Sequence, residues 1–111
     1  MDHYHLWFDL RAGVKGLDLA EAVQDMLGHM QQEGLIQAFS LQRRKLGLGP
    51  QEIGEWHVDI QTRDLGQLQA AFDTITPRSG KVEKLHAGVW SKVQGLRTAL
   101  YRDFPDGNRT K

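Results

Sequence analysis

The sequence predicts an α+β fold: four strands in one antiparallel sheet, with helices covering a single face. Two segments, 3–10 and 55–62, alternate polar and apolar residues with the period of a half-buried strand. Between and after them run apolar stripes at helical spacing, and glycine and proline punctuate the joins.

The first strand is "HYHLWFDL", residues 3–10, with Tyr4, Leu6, Phe8 and Leu10 on one face and His3, His5, Trp7 and Asp9 on the other. The turn-rich "RAGVKG" leads into a helix over 18–33, where Leu19, Val23, Met26, Leu27 and Met30 share a stripe. Asp18 followed by Glu21 reads as its capping box and Gly34 as its stop. "IQAFSLQRRK", 36–45, is the second strand, and "LGLGPQEIG" is a loop. In the third strand, "EWHVDIQT", Trp56, Val58, Ile60 and Thr62 oppose Glu55, His57, Asp59 and Gln61.

Asp64 caps a second helix with Leu65, Leu68, Phe72 and Ile75 on its stripe, and Pro77 ends it. After "RSGK", a third helical stripe takes in Val82, Leu85, His86, Val89, Trp90 and Val93, with Gly95 as its break. "LRTALYRDF" is the fourth strand, closed by an Arg102–Asp103 ion pair. Residues 1–106 form one domain and 107–111 a polar tail. The order β-α-β-β-α-α-β is the ferredoxin-like arrangement, in which the first and third strands are central neighbours.

At 111 residues the chain leaves much surface exposed as a monomer, so self-association is favoured. Fourteen basic and fourteen acidic side chains cancel, which disfavours a general nucleic-acid binder. The absence of cysteine excludes disulfides, thiolate catalysis and thiolate-held zinc. No apolar run approaches bilayer length and no secretory signal pattern opens the chain, so a soluble cytoplasmic protein is expected. There is no Gly-x-Ser-x-Gly or His-Glu-x-x-His signature, and "GLGP" lacks the pattern of a phosphate loop.

The polar face of the two central strands is the candidate site. If His5 and Asp59 pair, the carboxylate fixes the imidazole tautomer and raises its basicity, so His5, His57 and Asp59 are the catalytic candidates. His3, Trp7, Asp9, Gln42, Arg44, Glu55 and Tyr101 are the ligand-binding candidates, with Trp7 and Tyr101 as flat walls for a planar ligand. The competing reading makes the same residues a polar ladder that joins two subunits. A metal held by His3, His5 and His57 is a further alternative; no cofactor is expected. His29 and His86 read as surface or core-edge residues of helices.

Element order and face pattern resemble the dimeric α+β-barrel superfamily, which includes antibiotic-biosynthesis monooxygenases, muconolactone isomerases and haem-degrading monooxygenases. "HYHLWF" at 3–8, "RRKLGLGP" at 43–50 and "LYRDFPD" at 100–106 resemble a small, uncharacterised bacterial family of this fold. The resemblance implies a homodimer joined through the open sheet face, with no catalytic residues to carry over. By superfamily analogy it implies small-molecule binding, with a cofactor-independent oxygenase or isomerase as the enzymatic form. A noncatalytic ligand-binding or stress-associated dimer is the alternative.

Overall fold

The computed structural model describes residues 1–75 and 81–105. Pro77, most of the "RSGK" turn and the polar tail lie outside them. The elements are β1 (Asp2–Leu10), α1 (Gly16–Gln32), β2 (Ala38–Arg43), β3 (Trp56–Thr62), α2 (Leu65–Ile75), α3 (Lys81–Trp90) and β4 (Val93–Arg102). The four strands form one antiparallel sheet of order β2-β3-β1-β4, so β1 and β3 are the central pair as expected.

The apolar sides of β1 and β3 meet the helices. Phe8, Trp56 and Val58 are buried against Leu19, Val23, Leu27 and Met30 of α1, with Ala71 of α2 and Val93 of β4 in the same cluster. Removing a side chain such as Leu27 from this cluster would cost about 2–5 kcal/mol. Gly54 allows the close approach of β1 and β3: a Cβ there would lie 2.2 Å from the Phe8 carbonyl carbon.

Local signals explain most element ends. Gly34, at φ +75°, closes α1 in a Schellman arrangement, with Leu35 N–H donating to Met30 O (2.9 Å) and Gly34 N–H to Gln31 O (3.1 Å). Asp64 caps α2, its Oδ1 accepting the Gln67 N–H at 2.9 Å. Asp18 does not cap α1. Its own N–H already bonds to Lys15 O (3.1 Å), so it lies within the first turn, where its charge favours the helix dipole.

The last strand also departs from expectation. Val93 and Gly95 belong to β4 and not to a helix end. Gly95, at φ +66°, sits in a bulge opposite Phe8, where pairing steps from Asp9↔Gln94 to Trp7↔Arg97. The glycine expected to break a helix instead absorbs an extra residue in the sheet. β2 is shorter than 36–45 at both ends, and at the C-terminal end Arg44 belongs to the following loop, its guanidinium bonded to the Pro50 and Ile53 carbonyls.

Candidate functional site

The outer face of the sheet brings most of the sequence-predicted residues together. His5 stands opposite Asp59, and Trp7 opposite His57. The hydrogen bonds, however, run diagonally. His3 Nδ1 lies 3.2 Å from both Asp59 carboxylate oxygens, and His5 Nδ1 lies 2.8 Å from His57 Nε2. The expected His5–Asp59 pair is therefore replaced by two diagonal contacts of the same sense, which long side chains reach across an antiparallel pair.

Ring contacts continue the row. Trp7 stacks on His57 with centroids 5.0 Å apart and on His5 at 5.5 Å. Tyr101 meets His5 edge-on at 5.2 Å, across a position where β4 offers only Ala99 opposite His5.

Asp103 was missed as a member of this face. It takes the second nitrogen of His3 (Nε2 to Oδ1, 2.7 Å), where the sequence suggested a pairing with Arg102. Burial is the largest influence on His3 and lowers its pKa, but the hydrogen bonds and charges of Asp103 and Asp59 together outweigh it, so His3 titrates above the ordinary imidazole value. His57 moves the other way: burial and then the neighbouring His5 lower its pKa, against the opposing charge of Asp59.

Other ligand candidates have structural partners. Asp9 Oδ1 accepts the Glu55 N–H (2.9 Å), and Glu55 pairs with Arg43 (3.1 Å). The Arg44 guanidinium donates to the carbonyls of Pro50, Ile53 and Gly54, lacing the loop between β2 and β3. Gln42 donates to Ser40 Oγ at 2.7 Å on the exposed end of β2. Among the described residues no three His, Asp or Glu side chains form a cluster suited to a metal ion.

A second, apolar space lies on the opposite side of the sheet. Between β1, β3 and the helices is a cavity of about 390 Å³ whose walls include Leu6, Met26, Met30, Phe72, His86 and Trp90. Phe72 and Trp90 are 38% and 36% exposed, so the cavity reaches the surface beside them. His86 is the imidazole in its wall. The Trp90 indole N–H donates to His86 Nε2, while Glu83 Oε2 lies 4.0 Å from Nδ1. Burial lowers the His86 pKa, against the charge of Glu83. The sequence did carry a signal for this site, a histidine on an otherwise apolar helical stripe, but that pattern equally describes a core-edge residue.

Residues 1–111 match the family of unknown function DUF6614. The chain belongs to that family. No curated protein matches the DUF6614 chain in sequence. Among solved structures it is similar to At3g17210 from Arabidopsis thaliana, at TM-score 0.73 and 9% identity over 96% of this chain and 99% of that one. A dimeric ferredoxin-like protein of unknown function from Thermobifida fusca aligns at TM-score 0.65 and 10% identity, covering 92% and 90% of the two chains. A dimeric protein of unknown function and ferredoxin-like fold from Bacteroides fragilis aligns at 0.58 and 10%, covering 92% and 95%. At such identities the likeness establishes the ferredoxin-like fold alone. No helix among the described residues is long and apolar enough to cross a membrane.

Proposed function

We propose that the protein is a homodimer joined through the outer face of its sheet, and that each protomer takes up a small, largely apolar molecule between sheet and helices. The observation that carries this reading is the cavity of about 390 Å³ with His86 in its wall. Ligand pockets begin at roughly 300 Å³.

His86 has the features of a proton acceptor. Its lowered pKa keeps the imidazole neutral near pH 7, and Glu83 on the Nδ1 side favours the tautomer with its lone pair on Nε2, where a ligand proton would replace the Trp90 N–H. The dimer is supported by the outer face, whose imidazoles and indole are only half-buried in the protomer, and by the dimeric neighbours from Thermobifida fusca and Bacteroides fragilis.

A second reading follows from the 2.8 Å His5–His57 bond. A proton taken up at His5 Nε2 would release the Nδ1 proton to His57, so the pair can relay a proton to a planar ligand held between the two sheets against Trp7. Ligand titration followed by NMR decides between them. His86→Gln should abolish turnover, or weaken binding where there is none, while His5→Ala and His57→Ala spare both. The reverse pattern would transfer the site to the outer face.

A further inference from the structure

Resting on the reading of the helix-side cavity as the ligand site, we infer that its ligand is a neutral hydroxyl-bearing amphiphile: a phenol or enol attached to an apolar body of about ten carbons. Three observations lead there.

The first is the polar pair itself. Trp90 Nε1–H is a donor and His86 Nε2 an acceptor, and the two are bonded to one another in the cavity wall. A hydroxyl is the group that can replace both sides of that bond, because its oxygen accepts from the indole while its proton goes to the imidazole. A carbonyl or an ether accepts only, and would leave His86 Nε2 without a donor. An acidic hydroxyl also places the transferable proton on the atom where His86 would receive it.

The second is charge. Among the described residues that wall the cavity none is lysine or arginine. A carboxylate or phosphate head would enter without a countercharge, which a low-dielectric site penalises. Fatty acids and phosphorylated lipids are thereby disfavoured.

The third is size and shape. A dry apolar cavity of about 150 Å³ takes up benzene, with six heavy atoms. By proportion, about 390 Å³ suits roughly sixteen. Met26, Met30 and Leu27 give part of the wall unbranched or flexible side chains that adapt to an alkyl tail, whereas Tyr4, Phe8 and Phe72 offer ring faces and edges.

The test is a titration of the full-length protein with 4-alkylphenols of increasing chain length, read from the Trp90 indole N–H resonance, which Trp90→Phe identifies. Each added CH₂ should tighten binding about fourfold, up to roughly the nonyl chain, and longer chains should gain nothing. The matching methyl ethers and alkylbenzoates should bind at least tenfold more weakly. Equal binding of phenol and ether, preference for the carboxylate, affinity independent of chain length, or no binding at all would each overturn the inference.

The site is tested separately. Ala71→Trp fills the cavity wall, and Leu27→Phe is the milder substitution should that variant fail to fold. If a short polar or anionic ligand binds and these substitutions block it, the ligand class is wrong while the site stands. If alkylphenols bind undisturbed by either folded variant, the site itself is wrong.

Discussion

On the outer face of the sheet, His3, His5 and His57 use ring nitrogens on one another and on Asp59 and Asp103; on the helix side, His86 faces an apolar cavity, with Trp90 and Glu83 beside its nitrogens. The first region has many polar groups that are mutually satisfied. The second has few, and they are placed beside an apolar cavity. A binding site needs space beside its polar groups, and within the protomer the helix side supplies it, so the richer cluster of histidines is the weaker candidate. Number of titratable residues is a poorer guide than the space that lies beside them.

The most severe way to break this division is Gly54→Val. The added side chain would drive into the Phe8 backbone and force β1 from β3, disturbing both faces at once. Urea denaturation should show a loss of more than about 3 kcal/mol. Next in size, Trp7→Ala removes the largest ring of the outer face and should weaken the dimer at least tenfold, about 1.4 kcal/mol in sedimentation equilibrium. Alkylphenol binding on the helix side should survive it. A dimer of unchanged affinity would remove the outer face from the interface.

The pH dependence sharpens the contrast within the outer face. His3 has a raised pKa, so its contribution to stability is fully present below the unfolded value of 6.5 and is lost as pH rises through the folded value. His57 has a lowered pKa, so its contribution is present above 6.5 and is lost as pH falls through the folded value. His3→Gln should therefore cost more stability at pH 5.5 than at pH 8, and His57→Gln more at pH 8 than at pH 5.5. Each difference should be within about 1 kcal/mol for such partly solvated groups. Identical pH profiles for the two variants would contradict the assigned contacts. Smallest of all, Gln42→Ala at the exposed end of β2 should change thermal stability by less than about 0.5 kcal/mol.

The sheet was legible because period-two alternation forces its consequence: once Tyr4, Leu6 and Phe8 are taken as core, His3, His5 and Trp7 must share the other side. The pairing of β1 with β3 followed from element order. Which residues bond across that pair was not legible, since opposite and diagonal neighbours differ by one side chain's lean, and His5 found His57 where Asp59 stood directly across. The cavity was harder still. An apolar stripe states which way a helix faces but not whether its side chains fill the volume they enclose, so His86 and Trp90 look the same in sequence whether they seal a core or line a pocket. Gly95 misled because a glycine with positive φ serves a helix end and a strand bulge equally well.

Entry of the ligand on the helix side is read directly by NMR mapping with 4-nonylphenol. Binding there should shift the Trp90 indole, the His86 imidazole and the Met26 and Met30 methyls, with the His5, His57 and Trp7 resonances unmoved. Shifts centred on His5, Trp7 and His57, with the helix-side methyls silent, would contradict it.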